Sequence, residues 1–333
     1  MPRCRAAHSL AWKTLLSACL LVAAVQAHAE WIYHRGDMMG TSLRLTVWHA
    51  DRPAGETAIA AVIADMQRIN ALMSPYVADS ELSRLNSRAA GAPVAVSPEL
   101  IRLLQQARAI SELTGGAFDV TYASVGHLYD YRRGVKPDRD TVDQRLPAID
   151  YRHVTIDPEA GTVRYERPGV RIDLGGIAKG YAVERAADIL RQHGVGHAQV
   201  SLGGDTRLVG DHRGRPWVIG IRDPRDPEAT AVRVPLVDEA VSTSGDYERY
   251  FEEGGIRYHH IIDPDTGQSA DAVQSVTILG PNATRTDAFS TSVFVMGVER
   301  GLSFINARDG FEAVIVDSRG TLHYSAGLRP GGE

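Results

Sequence analysis

Asp287 and Thr291 stand four residues apart in Thr286-Asp287-Ala288-Phe289-Ser290-Thr291. On a helix that spacing puts a carboxylate and a hydroxyl on one face. With a backbone carbonyl and phosphate oxygens, the pair suits Mg2+, a hard cation that keeps a sparse protein shell. The same pair also fits a capped or solvated helix face. Asp173 and Lys179 mark a second signal, the run R-I-D-L-G-G-I-A-K-G-Y-A that begins at Arg171. Val170, Ile172 and Leu174 read as a strand end, followed by a Gly-Gly turn. Ile177, Ala178, Tyr181, Ala182, Ala186 and Ile189 then have the spacing of an amphipathic helix. Glycines at such a junction let a ligand approach the backbone closely. The helix start offers unpaired N–H groups and a positive dipole end to an anion. Together these residues indicate a site for a phosphorylated ligand.

Other segments carry weaker signals. Tyr258-His259-His260-Ile261-Ile262 places two histidines on an expected strand. Neighbours on a strand face opposite ways, which argues against a two-histidine metal site. A single histidine there serves either as a general base near neutral pH or as a structural side chain. Ser242-Thr243-Ser244-Gly245-Asp246-Tyr247 reads as a polar turn, with Ser244 capping a helix from Asp246. Gly115-Gly116 delivers Ala117, Phe118 and Asp119. Phe118 fits a packed core as well as a ligand wall, and Asp119 fits a turn cap. Tyr76 follows a helix end, and Leu202-Gly203-Gly204-Asp205 is a second diglycine. No G-x-S-x-G, G-x-G-x-x-G, P-loop or H-E-x-x-H pattern is present, so nucleophile-elbow, dinucleotide-fingerprint and zincin chemistry have no support.

The elements that must position these residues follow from periodicity. Residues 39–47 predict a turn and an alternating strand. Residues 56–73, 80–86 and 97–114 predict helices, the last opened by Ser97-Pro98 and stopped by Gly115-Gly116. Residues 138–147 read as a polar loop, and 151–165 as a hairpin turning at 157–161. After the helix to about residue 193, strands are expected over 198–202, 217–221, 231–237, 258–262 and 275–279. A helix over 286–296 and a hairpin of 313–316 with 321–324 close the chain. The order is mixed α+β, without a regular βαβ array.

The N-terminus reads as a secretory signal peptide over residues 1–29. Arg3, Arg5 and Lys13 are basic, residues 15–25 are apolar, and Ala27-His28-Ala29 offers a cleavage site before Glu30. The apolar run falls short of the roughly 20 residues of a membrane span. A lipoprotein processing site at Cys19 is less favoured, because Lys13 leaves too short an apolar stretch before it. Cys4 and Cys19, the only two cysteines, fall inside this segment. Losing Arg3, Arg5 and Lys13 takes the formal charge from −5 to −8. An acidic chain without a basic run argues against nucleic acid as a partner. The remaining 30–333 is long enough for one domain, or two tightly joined lobes, built around its own core.

In their order along the chain, the segments resemble the ApbE family of FAD:protein FMN transferases. They are Met39-Gly40-Thr41, Ser74-Pro75-Tyr76 with S-E-L-S-R-L-N to Asn86, and G-G-A-F-D from Gly115. D-L-G-G-I-A-K-G-Y-A from Asp173, L-G-G-D from Leu202 and S-T-S-G-D-Y from Ser242 follow. H-I-I-D-P-x-T-G from His260 and D-A-x-x-T from Asp287 complete the set. Val120 and His259 depart from the residues frequent in the family, and neither removes a functional side chain. The resemblance implies an α+β fold of mixed sheets with packed helices, T-fold-like in architecture.

The resemblance also implies an activity: Mg2+-dependent transfer of FMN from FAD, as substrate, to a threonine hydroxyl of a client, releasing AMP. By it, Gly176, Asp287 and Thr291 hold the metal, and His260, Lys179 and Asp287 serve catalysis. Met39, Tyr76, Ala117, Phe118, Asp119, Asp173, Lys179, His260 and Ile262 contact the flavin nucleotide. The implied client is a redox protein, including membrane subunits, with an Asp-Gly-x-Thr-like segment, modified in the periplasm. Two alternatives stand beside it: an FAD pyrophosphatase, with water replacing threonine, and a periplasmic FAD carrier.

Overall fold

The structure, a computed structural model, describes residues 30–328. The expected signal peptide and both cysteines lie outside the described residues. The strands begin with β1 (Glu30–Met38), β2 (Thr41–His49), β3 (Val94–Ala95), β4 (Val154–Asp157) and β5 (Thr162–Tyr165). Next come β6 (His197–Leu202), β7 (Asp205–Val209), β8 (Trp217–Arg222), β9 (Thr230–Leu236) and β10 (Ala240–Gly245). Last are β11 (Tyr250–Glu253), β12 (Ile256–His259), β13 (Val273–Gly280), β14 (Glu312–Asp317) and β15 (Leu322–Tyr324). The helices are α1 (Arg52–Met73), α2 (Glu81–Arg88), α3 (Pro98–Thr114), α4 (Ala123–Gly126), α5 (Arg139–Arg145), α6 (Ala178–Gln192) and α7 (Ala283–Asn306).

Eight strands form one antiparallel sheet in the order β1-β2-β6-β7-β10-β13-β14-β15. Strand alternation gives the sheet two different faces. Ala240, Val276, Ile278, Ala313 and Ile315 join the larger core, where α1, α6 and α7 lie. Leu208, Val241, Leu279 and Val314 point the other way and are covered by the β8–β9 hairpin through Trp217, Ile221, Val234 and Leu236. All eight residues of β13 are therefore buried. Smaller sheets of β3-β5-β4 and β11-β12 stand apart. Among the described residues no helix is long and apolar enough to cross a membrane.

Local chemistry sets the helix ends. Asp51, Ser80, Ser97 and Asn282 each accept a backbone N–H in the first turn of α1, α2, α3 and α7. Gly115 ends α3 in the left-handed region at φ 63°. Helices α6 and α7 approach so closely that only glycine fits at position 180. A Cβ there would lie 2.2 Å from the Ala283 carbonyl oxygen and 2.5 Å from the Asp287 Cβ.

Three expectations are corrected. Residues 170–174 have the buried alternation of a strand but join no sheet; the Asn86 side chain pairs with them instead. Its Oδ1 accepts the Ile172 N–H at 2.8 Å and its Nδ2 donates to the Ile172 carbonyl at 2.8 Å. Residues 138–147 hold α5, capped by Asp138, which buries Val142 alone and so hides its periodicity. Residues 240–245 are the strand β10, and no helix starts at Asp246. The hydroxyls of Ser242 and Ser244 face α7, where Thr286 and Ser290 bond them at 2.8 Å each.

Candidate active site

The chemistry gathers where the start of α6 meets the first turns of α7. Asp287 is buried, and its Oδ2 accepts the Gly180 N–H at 2.8 Å, capping α6 from another helix. Lys179, beside it, bonds the buried Asp205 and lies 3.8 Å from Asp287 Oδ1. Burial and the Asp205 charge push the Asp287 carboxyl up to about 7, against the pull of Lys179. Burial opposes the charge on Lys179, but Asp205 and Asp287 outweigh it and hold the ammonium above its ordinary range. The junction has two carboxylates for one ammonium.

Thr291 lies one turn beyond Asp287, on the same side of α7. Gly176 packs against it: a Cβ on Gly176 would sit 3.1 Å from Thr291 Oγ1 and 3.3 Å from the Phe118 ring. Ser244 Oγ is 3.3 Å from Thr291 Oγ1. Among the described residues no three His, Cys, Asp or Glu side chains cluster to hold a metal. The donors present are a carboxylate, hydroxyls and main chain, all oxygen, and the negative charge exceeds the positive. A hard divalent cation suits donors of that kind.

His260 follows the last residue of β12. Its N–H donates to the Arg249 carbonyl at 3.2 Å, and its enclosed Nδ1 has no partner among the described residues. Burial, with help from the Arg249 charge, pushes the ring down to about 3, so it is neutral at neutral pH. His259 turns the other way: it is buried, bonds the Ala270 carbonyl at 2.7 Å and packs edge-on against Phe294. The two rings thus point to opposite sides, as strand alternation requires.

The remaining residues divide by exposure. Asp173 sits at the Gly-Gly turn, its Oδ1 accepting the Gly175 N–H at 2.7 Å, and burial raises its carboxyl. Tyr122, which sequence reasoning missed, brings its hydroxyl near Gly175 and Asp173. Tyr76 is 81% exposed, the one ring of the expected set open to solvent. Ala117, Phe118 and Ile262 are buried, and of the three Phe118 approaches Gly176. Asp119 turns inward: its Oδ1 accepts the Thr121 N–H at 2.7 Å and its Oδ2 the Tyr151 N–H at 2.7 Å. Burial nevertheless raises it to about 6. Met39, at φ 51°, occupies the β1–β2 turn. That turn leads to Ser42, whose carbonyl accepts the Gly203 N–H at 3.0 Å. Asp205 and Ser244 lie inside quoted motifs, so their polar types beside glycine were the available signal. Arg249 and Tyr122 carried none.

These contacts bring residues 173–180, 203–205, 242–244 and 287–291 to one place. The ApbE family model matches residues 39–315. The chain belongs to the ApbE family. A Vibrio cholerae protein named FAD:protein FMN transferase is 36% identical, with 89% of this chain and 90% of that protein covered. A Treponema pallidum protein of the same name is 35% identical, with 89% and 87% covered. Among solved structures, the ApbE protein of Thermotoga maritima has 36% identity and a TM-score of 0.84, covering 90% of this chain and 98% of that one. The flavin transferase ApbE of Vibrio cholerae has 31% identity and a TM-score of 0.80, covering 91% and 99%. The mixed α+β architecture is thus that of ApbE flavin transferases.

Proposed function

We propose that this chain transfers FMN from FAD to a threonine hydroxyl of a client protein, with Mg2+ bound and AMP released. The observation that carries this reading is the convergence of the family motifs on the α6–α7 junction, around a buried carboxylate whose charge is not balanced. The names of the relatives, which share most of their length with this chain, point the same way.

In the proposed reaction, a bond forms between the threonine Oγ and the FMN-side phosphorus. The bond from that phosphorus to the AMP phosphate oxygen breaks, and AMP leaves. Asp287, Thr291 and the Gly176 carbonyl hold Mg2+, which supplies charge neutralisation at the pyrophosphate. His260, neutral at the working pH, takes the threonine proton. Asp205 keeps Lys179 charged and fixed beside Asp287, so the ammonium is committed to ordering the junction. Phe118 packs beside Gly176, and Tyr76 stands exposed for an aromatic ring of the dinucleotide. The client belongs to the redox proteins, membrane subunits included, with an Asp-Gly-x-Thr-like segment. The basic and apolar N-terminal segment supports export to the periplasm with cleavage near Ala29.

The test incubates the protein with FAD, Mg2+ and a client domain bearing the threonine segment, then reads the client's intact mass. A gain of one FMN, with AMP released, is expected. Free FMN and AMP without a gain would replace transfer by hydrolysis.

A further inference from the structure

Resting on the transfer reading above, we propose that Arg249 is a substrate-binding residue whose guanidinium takes the pyrophosphate of FAD. The β11–β12 hairpin puts it in place. Tyr250 opposes His259, and the ladder continues one step to the bond from the His260 N–H to the Arg249 carbonyl. Opposed residues of an antiparallel pair project from the same face, so Arg249 stands beside His260. Two residues along, Phe251 and Tyr258 stack on that face with centroids 5.2 Å apart. The other face carries the buried His259 and Tyr250, with the Arg257 guanidinium 4.2 Å from the Tyr250 centroid. The pleat separates the two arginines.

Their charges are used differently as well. Arg225 and Arg257 pair with Asp246, and Arg222 pairs with Glu248. Arg249 is exposed and forms no ion pair among the described residues. Its charge still reaches the site. It adds to the lowering of His260 and opposes the upward pull on Lys179 and Asp173. Lys179 cannot meet a pyrophosphate unencumbered, because Asp205 and Asp287 engage it. Arg249 is free to do so, and its planar fork matches phosphate oxygens in a bidentate way.

The experiment measures equilibrium binding of FAD and of riboflavin, which has no phosphate, by flavin fluorescence. It compares the wild-type protein with Arg249→Gln, Arg249→Lys and the surface control Arg222→Gln. Arg249→Gln should weaken FAD by roughly tenfold to a hundredfold, the range of a lost charge-assisted contact, and leave riboflavin unchanged. Arg249→Lys should recover part of the loss, and Arg222→Gln should bind both flavins as the wild type does. Unchanged FAD affinity in Arg249→Gln, or equal loss of both flavins, overturns the assignment. Binding is read without a client, so a wild-type protein that binds FAD but leaves the client unmodified would refute the transfer reading alone.

Discussion

Asp287 serves two masters: it caps α6 through the Gly180 N–H, and it supplies the carboxylate assigned to the metal. An amide at this position keeps an acceptor for the cap and removes the repulsion from Asp205. Asp287→Asn should therefore fold with a melting temperature at or above that of the metal-free wild type. It should also lose about a hundredfold or more in transfer at saturating FAD. Mg2+ should raise the melting temperature of the wild type, since a ligand of the folded state stabilises it, and leave that of the variant unmoved. An equal Mg2+ shift in both would remove Asp287 from the metal site. His260 gives a prediction in pH. Its folded ring is pushed down to about 3 from the ordinary 6.5. Its contribution to stability is complete above pH 6.5 and is lost as pH falls from there toward 3, because the unfolded chain takes the proton first. His260→Gln should accordingly lose less stability than the wild type between pH 7 and pH 5, as urea midpoints would show. Parallel losses would mean that the ring titrates normally.

At the scale of elements, the segment before α6 shows how a site residue is held without a strand. Asn86 imitates a neighbouring strand by accepting from and donating to Ile172, and it also accepts the Tyr165 hydroxyl at 2.8 Å. Asn86→Ala leaves both Ile172 groups unpaired in a buried place, which costs about 1–3 kcal/mol for each group left unmet. Because Asp173 is the next residue, FAD affinity should fall together with the urea midpoint. A variant that loses stability but binds FAD normally would break that link. The sequence had the right period here, with Val170, Ile172 and Leu174 all buried, but periodicity does not say what the backbone bonds to. The same limit hid β10, where Ser242 and Ser244 face inward with hydroxyls satisfied by α7, and so looked like a turn. It hid β1 as well, an edge strand with one buried residue in nine. Elements with strong local chemistry were legible: α3 begins at Ser97-Pro98 and ends at Gly115 as its cap residues dictate. The residues of the site were legible as motifs. The pairing of Asp205 with Lys179 and the placement of Arg249 were not, because an ion pair between a helix and a strand, or a hairpin register, leaves no pattern in one dimension.

At the scale of the whole molecule, the central sheet separates stability from chemistry. Every catalytic and metal residue assigned above that touches the sheet does so from the face covered by α6 and α7. The opposite face is closed by the β8–β9 hairpin, whose Trp217 packs with Leu208, Val241, Leu279 and Val314. Trp217 is 5% exposed, so Trp217→Ala opens a large cavity and should cost about 3–5 kcal/mol. That is a large share of the roughly 5–15 kcal/mol that holds a domain folded. The sheet between is a close-packed layer of paired strands, and β10 and β13 are anchored on their neighbours by backbone bonds that the substitution does not touch. The variant should unfold at a clearly lower temperature, yet well below that temperature it should bind FAD and modify a client at the wild-type rate. Calorimetry and the client mass assay, run on the same preparation, measure the two quantities. A transfer rate that fell in step with stability would show that the hairpin face is coupled to the α6–α7 junction through the sheet, and the division of labour between its faces would have to be abandoned.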